Sequence, residues 1–128
     1  MATLTYKVTV ASGTNAFGTG NKFFINGEVS PVLFLQEGDT VIFDTSDSSN
    51  NNFKFSFSST KDGTFTTGGA EYTTGVTHTG TPGTSGAKTT INVAPVRTTG
   101  APFLFYYNSG TTTTSGMGFP VTILFLHF

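Results

Sequence analysis

Carboxylates in one polar stretch are the first residues of this sequence that could do chemistry, and the chemistry they indicate is cation binding. Hard cations such as Ca²⁺ prefer several oxygen ligands, and the chain offers four aspartates: Asp39, Asp44, Asp47 and Asp62. Their spacing does not follow the D-x-[DN]-x-[DN]-G pattern of a calcium loop. Asp44 and Asp47 stand beside Ser46, Ser48 and Asn50, residue types that hydrogen-bond to their own backbone. We therefore interpret the stretch as a self-capping polar loop and predict no metal site.

The two histidines do not belong to a recognisable catalytic or metal-binding motif. His78 lies in a Gly/Thr-rich segment, and His127 is the penultimate residue. The chain has no cysteine, which excludes disulfides, thiolate metal sites and cysteine nucleophiles. It also lacks a G-x-S-x-G motif, and no sequence pattern pairs a nucleophile with a base. We interpret both histidines as exposed or interface residues, and we predict that the chain is not an enzyme and binds no cofactor.

The low charge of the chain narrows its possible partners. Charged residues make up 10% of the 128 residues, and the net charge is −1. Such a surface does not attract nucleic acid or an anionic membrane, so neither is a predicted partner. The opening MATLTYKVTV alternates like a strand and differs from a signal peptide, and no segment has the pattern of a membrane-spanning helix. The length predicts a single domain at residues 1–128.

Strands must position these residues, because no window of the sequence has a helical hydrophobic period. Gly, Thr and β-branched residues also disfavour helices. The clearest strand signal is the alternation of Phe53, Phe55 and Phe57 with two polar residues, which predicts a strand buried on one face. Strands are predicted at residues 3–10, 22–25, 28–30, 32–35, 40–43, 53–57, 89–93, 102–107 and 121–128. This pattern predicts an all-β fold, a Greek-key β-sandwich.

The connections between the predicted strands are rich in glycine. Asn26 and Gly27 favour a tight hairpin turn, because both residue types tolerate positive φ. Residues 11–21 combine glycines with small polar residues and predict a loop. Residues 58–88 form a long Gly/Thr-rich excursion, and a structureless segment of that length is unusual in a compact domain. We therefore predict short strands within it, around residues 71–76.

Several blocks of the sequence occur in the order found in one known family. The stretch QEGDTVIFDTSDSSN, residues 36–50, leads from an apolar strand into a polar loop. The matching positions are Ser30-Pro31, residues 37–40, Asp44, residues 46–50, 62–64, 71–76, 80–83, Gly86-Ala87, residues 89–93 and Gly116-Met117-Gly118. With these blocks, residues 20–120 resemble a cupredoxin-like domain (plastocyanin/azurin superfamily) of the kind found in structural proteins of marine phages and cyanophages. The resemblance implies a cupredoxin-like sandwich and a place in a virion.

The same resemblance identifies the positions at which a cupredoxin holds copper. That centre needs two imidazoles, one thiolate and a weak axial methionine. The first histidine of the family falls at Phe53, the cysteine falls at Asn108, and the second histidine would lie in the four threonines at 111–114. Only the axial methionine has a counterpart, Met117. The resemblance therefore implies a cupredoxin fold that has lost its copper ligands and its electron transfer.

The C-terminal segment carries more apolar residues than one buried face requires. Residues 119–128, FPVTILFLHF, alternate little, so the domain or a partner must cover both faces of this predicted strand. The strand at residues 3–10 is a second candidate for an exposed edge, and unprotected edges pair with other chains. We predict a homo-oligomer, with these interface candidates: Phe119, Val121, Ile123, Leu124, Phe125, Leu126 and Phe128.

These observations lead to one main hypothesis and two alternatives. The main hypothesis is a phage capsid decoration (cement) protein or fibre component on the virion surface, which binds the major capsid protein or other virion proteins through strand edges and Phe-rich contacts. One alternative is a carbohydrate-binding or adhesion module of a fibre, with Tyr72, Tyr106 and Tyr107 as stacking candidates. The other is a self-assembling filament or surface-layer subunit whose C-terminal strand completes the next sheet. Deleting residues 121–128 would then leave a soluble domain.

Overall fold

Eleven β-strands and two short 3₁₀-helices make up the described part of the chain. The computed structural model describes residues 2–65, 69–94, 103–110 and 116–124. One sheet holds β1 (Thr3–Asn15), β2 (Gly18–Ile25), β3 (Glu28–Val29), β5 (Thr40–Asp44), β8 (Val76–Thr79) and β9 (Lys88–Asn92). The other holds β4 (Leu33–Gln36), β6 (Phe55–Ser58), β7 (Glu71–Tyr72), β10 (Phe103–Asn108) and β11 (Pro120–Leu124). The 3₁₀-helices lie at Ser48–Asn50 and Gly63–Phe65.

The two sheets form the predicted all-β sandwich. The six-stranded sheet has the order β3-β2-β1-β5-β9-β8, and the five-stranded sheet has the order β4-β11-β10-β6-β7. Both sheets are mixed, because β1 pairs with β5 and β11 pairs with β4 in parallel, while the other pairs are antiparallel. The chain crosses between the sheets after β3, β4, β5, β7 and β9, as Greek-key connections do.

Strand β1 is longer and more central than its sequence predicts. Residues 11–21, predicted as a loop, instead form the arms of a hairpin in which Asn15 lies opposite Gly18. The glycines that favoured a loop lie within the ladder, where Gly18 and Gly20 have φ of 122° and 152°, a region that suits glycine. The prediction of a free edge at residues 3–10 is confirmed only in part: among the described residues, Thr3–Lys7 pairs with β5 alone, whereas the strand pairs with β2 from Val8 onward.

Several local predictions are confirmed. Asn26 and Gly27 have φ of 51° and 84°, as the predicted hairpin turn between β2 and β3 requires. Short strands occur in the excursion, at Glu71–Tyr72 and Val76–Thr79. A strand is predicted at residues 89–93, and Ile91 and Val93, in and just after β9, are buried.

The core is built around the ring of Phe55 in β6. This ring stacks on Phe43 of the opposite sheet and on Tyr106 of its own sheet, with centroid distances of 4.6 Å and 5.3 Å. Phe57 is also fully buried, so the inward face of β6 is as predicted. The prediction that the other face meets solvent is wrong, because Ser56 and Ser58 are fully buried too.

Strand β11 alternates, which the sequence did not reveal. Val121 and Ile123 are buried in the core, whereas Leu124 is exposed. The described strand runs to Leu124 and lies between β4 and β10; residues 125–128 of the predicted strand lie outside the described residues. Deleting residues 121–128 would therefore remove a core strand, which contradicts the expectation of a soluble truncated domain.

The polar loop after β5 caps its own backbone, as predicted. The carboxylate of Asp47 accepts hydrogen bonds from the Ser49 amide at 3.1 Å and the Ser49 hydroxyl at 2.6 Å. The carboxylate of Asp44 likewise accepts from the Ser46 amide at 2.9 Å. These hydrogen bonds from Ser49 and Ser46 hold the pKa of each aspartate below its ordinary value.

Replacing Phe55 with alanine should destabilise the chain by about 3–5 kcal/mol, the usual cost of removing a buried aromatic ring. The matched control is Phe34→Ala, since Phe34 is 60% exposed and surface changes usually stay within about 0.5 kcal/mol. Urea unfolding of both variants checks this. Equal losses in the two variants would contradict the central position of Phe55.

Replacing Ser49 with alanine should raise the pKa of Asp47 toward its ordinary value. A depressed carboxyl pKa gives stability that is present above the unfolded-state pKa and is lost as pH falls through the folded-state pKa. The variant should therefore lose less stability than the wild type between neutral and acid pH. Carboxyl-carbon NMR titration measures the pKa, and Ser48→Ala, at an exposed neighbour, is the control that should leave it unchanged.

Candidate functional site

Nothing in the described part of the chain covers the outer face of the five-stranded sheet over β4 and β11. Leu33 and Leu35 point into the core, so strand alternation directs Phe34 outward. Thr122 of β11 lies opposite Phe34, and Leu124 lies opposite Gln36. The large apolar residues exposed in these two strands and just before them are Phe34 at 60%, Leu124 at 43% and Val32 at 41%. We call these three residues the Phe34 patch.

The chain itself covers the other half of the same outer face, over β10 and β6. Tyr107 points outward but is buried, because Gly63 of the second 3₁₀-helix packs against its ring. The Ser58 hydroxyl donates to the carbonyl of Ala70 at 2.8 Å, and the Ser56 hydroxyl bonds to that of Ser109 at 2.6 Å. The early part of the excursion therefore covers this half and leaves the Phe34 patch open.

Strand β4 also offers an edge to other chains. Within the described residues it pairs with β11 alone, and its sequence, LFLQ, carries no charge. Uncharged edges without proline or a bulge are the ones that pair with strands of other chains.

The predicted interface residues divide into two groups. Val121 and Ile123 belong to the core of this chain, which removes them from any contact surface. Phe119 is half-buried against the core and lies 5.4 Å from Phe17, ring centroid to ring centroid. Leu124 is exposed. The remaining candidates lie outside the described residues: Phe125, Leu126 and Phe128.

The three positions that the resemblance aligns with copper ligands, Phe53, Asn108 and Met117, make structural contacts within the chain. The side-chain oxygen of Asn108 accepts from the amides of Lys54 at 3.0 Å and Gly110 at 2.8 Å, so it holds two turns together. Phe53 packs against the core, and Met117 is fully buried within it. A phenyl ring and an amide oxygen already bonded to two N–H groups do not fit a copper centre.

A buried lysine anchors the segment that precedes Met117. Lys22 is only 2% exposed, and its ammonium donates to the carbonyl of Gly116 at 2.8 Å. Asn15 donates to the same carbonyl at 2.9 Å, and the amide of Gly116 donates to Asp62 at 2.9 Å. Burial lowers the pKa of Lys22, and the charge of Asp62 partly opposes this. The sequence gives no sign that Lys22 is buried, because lysine normally extends to solvent.

A hydroxyl, an imidazole and a carboxylate form a hydrogen-bonded chain that the sequence analysis missed. His78 lies with Nε2 2.8 Å from a carboxylate oxygen of Glu71 and with Nδ1 3.2 Å from the hydroxyl of Thr89. This order of groups is that of a nucleophile with its base. Thr89 is buried, however, and its hydroxyl donates to the carbonyl of Phe55 at 2.9 Å. Because the hydroxyl proton of Thr89 is already donated to this carbonyl and the side chain is buried, Thr89 cannot act as a nucleophile.

The tyrosines predicted as stacking candidates do not form a platform for sugars. Tyr106 and Tyr107 are buried, and Tyr72 packs against the core. Burial, with a smaller effect of Glu28, raises the pKa of Tyr106, whose hydroxyl donates to the carbonyl of Pro31 at 2.7 Å.

Neither a metal site, nor a membrane-spanning helix, nor a known family adds to this geometry in the part of the chain that the structure describes. Among the residues described, no group of three or more His, Cys, Asp or Glu side chains could hold a metal ion. No described helix is long and apolar enough to cross a membrane. No family model matches the chain, and no curated protein matches it.

Replacing Lys22 with methionine should destabilise the chain by about 1–3 kcal/mol, because the buried carbonyl of Gly116 loses its charged donor while the volume is kept. The control is Lys88→Met, at an exposed lysine. Thermal or urea unfolding measures both. A Lys22→Met variant as stable as the wild type would show that Asn15 alone suffices to hold Gly116.

Proposed function

We propose that this chain is a non-enzymatic structural protein of a phage virion, a capsid decoration (cement) protein or a fibre component. It docks through the Phe34 patch and the β4 edge onto the major capsid protein or another virion protein. The proposed location is the particle surface, and further copies of the chain are among the proposed neighbours.

The observation that carries this proposal is the half-covered outer face of the five-stranded sheet. The chain covers Tyr107 and the serines of β6 with its own excursion, whereas Phe34 and Leu124 of the same face remain exposed. Burying each of these side chains at an interface would contribute about 1.5–3 kcal/mol. The absence of charge from β4 fits an apolar contact better than an electrostatic one.

The virion setting is supported by the resemblance of the sequence blocks to phage cupredoxin-like domains. The architecture is compatible with that resemblance, since the chain is an all-β sandwich of two mixed sheets. The cupredoxin-like assignment itself is part of the proposal.

Self-assembly is a second candidate, and it is favoured by the edge of β4, which has no partner strand among the described residues. Addition of a strand from another copy would extend the five-stranded sheet by main-chain hydrogen bonds. Light scattering and negative-stain imaging of the purified chain distinguish the two: filaments or sheets would support self-assembly, and a discrete species would support docking to a separate protein.

The double variant Phe34→Asp/Leu124→Asp should lose binding to virus particles by at least tenfold, because two charges replace two apolar contacts and 1.4 kcal/mol corresponds to about tenfold. The particles are those produced by the genome that encodes the chain, stripped of the wild-type protein and then incubated with each purified variant. Cosedimentation on a density gradient measures binding. The matched control, Leu4→Asp, changes a residue that is 38% exposed on the other sheet.

Two outcomes would overturn the proposal. Absence of the chain from purified particles, tested by mass spectrometry, would exclude the virion role. Rebinding of the double variant at the wild-type level would exclude the Phe34 patch as the docking surface.

A further inference from the structure

The backbone geometry of β4 determines which of its groups face the edge that has no partner strand. Within the described residues, β4 pairs with β11 alone. The amide of Glu37, directly after β4, donates to the carbonyl of Leu124 at 3.1 Å. Successive backbone groups of a strand point to opposite sides, so the leucines of β4 also face β11. The N–H and C=O groups of Phe34 and Gln36 therefore face the other side, which we call the open edge.

Charge and alternation determine which strand fits the open edge. The sequence of β4, LFLQ, carries no charge, and Glu37 is the first charged residue after it. A second copy running parallel would place the two Glu37 side chains next to each other, and like charges in neighbouring strands are destabilising. An antiparallel copy separates them. If its two-fold axis is perpendicular to the sheet, the leucines of both copies also stay on the core side.

We propose that a second copy of this chain pairs antiparallel with β4 about a two-fold axis at Phe34, which joins the two five-stranded sheets into one. The two Phe34 residues then exchange a pair of backbone hydrogen bonds, with their Cα atoms about 5.5 Å apart. On each side of the axis, the amide of Gln36 in one copy donates to the carbonyl of Val32 in the other. The carbonyl of Gln36 already accepts from the amide of Asp39 at 3.1 Å, so we count no bond to it.

The neighbouring registers fit less well than the one centred on Phe34. A shift of the pairing by one residue would turn the core faces of the two sheets to opposite sides. Moving the axis by one residue toward the N terminus places Gln36 opposite Ser30, where a φ of 38° takes the backbone out of the extended region. Moving it by one residue toward the C terminus places Val32 opposite Gly38, whose amide already donates to the segment after β9 at 2.9 Å.

This pairing deepens the proposed docking function and rests on it for the use of the joined surface. Residues directly opposite in antiparallel strands point to the same face, so the two Phe34 side chains lie next to each other on the outer face. Val32 and Leu124 of both copies flank them, which makes one larger apolar surface from two Phe34 patches. The second copy occupies the edge, and the face stays free for a virion protein, which two linked patches bind more tightly than one.

Single-cysteine variants test the register, because the chain has no cysteine of its own. Phe34→Cys should form a covalent dimer on mild oxidation, since the expected Cα separation lies within the disulfide range of about 4.4–6.8 Å. Val32→Cys and Gln36→Cys should cross-link when the two variants are mixed. Each oxidised alone should not, because four residues, roughly 13 Å of strand, separate it from its own counterpart. Non-reducing gel electrophoresis measures the covalent dimer.

The matched control is Thr122→Cys, on the same face in β11 and opposite Phe34. It lies three strand spacings, roughly 14 Å, from its counterpart in the proposed dimer and should not cross-link. Thr122→Cys dimers as abundant as those of Phe34→Cys would overturn the pairing, and so would the absence of a Phe34→Cys dimer.

Light scattering of the purified full chain tests the pairing without a thiol. The wild type should have twice the mass of one chain, and Gln36→Pro should have the mass of one chain. Proline removes an amide that faces the open edge, so the ladder with β11 and the Phe34 patch are kept; circular dichroism checks that the variant is folded. A monomeric wild type or a dimeric Gln36→Pro variant would contradict the proposal.

Failure of the dimer and failure of the docking function give different results. A wild-type monomer that rebinds stripped particles would overturn the dimer alone. A Phe34-centred dimer that does not rebind them would overturn the docking function and leave the dimer in place.

Discussion

The packing of Phe55 between Phe43 and Tyr106 is the contact on which the rest of the sandwich depends. Phe43 comes from the six-stranded sheet, and the other two rings come from the five-stranded sheet, so this stack joins the layers. A strand that points Phe55 and Phe57 inward must point Ser56 and Ser58 outward. The chain resolves this by bringing residues 60–65 and 69–70 over those serines, whose hydroxyls find partners there and at Ser109.

The segment that covers these serines depends on a glycine, and it covers only part of the outer face of the five-stranded sheet. A side chain at Gly63 would collide with the ring of Tyr107, so a residue without Cβ permits the close approach. Over β4 and β11 nothing in the described part of the chain does the same for Phe34 and Leu124, which stay exposed. The outer face of the five-stranded sheet is therefore covered over β6 and β10, whereas Phe34 and Leu124 remain exposed over β4 and β11.

The sequence predicts those features that local chemistry determines, and it fails where distant segments meet. The alternation around Phe55 and the turn at Asn26 and Gly27 could be predicted because each depends on neighbouring residues. The burial of Ser56 could not, since the segment that covers it is distant and polar. The alternation of β11 was hidden because Leu124, an apolar residue, points outward. Burial of Lys22 is invisible for a similar reason: its partner, Gly116, lies 94 residues away.

The pairing of Glu71 with His78 shows why a Gly/Thr-rich excursion need not be a passive loop. Its first part covers Tyr107 through Gly63, and its next part supplies both partners of a hydrogen bond between the two sheets, seven residues apart. The two strands that carry them are too short for a hydrophobic pattern in the sequence, yet Tyr72 and Val76 pack against the core, and the Glu71–His78 contact links the two strands. Because polar contacts at partly exposed positions are individually weak, the Glu71–His78 contact should contribute less to stability than the aromatic stack at Phe55.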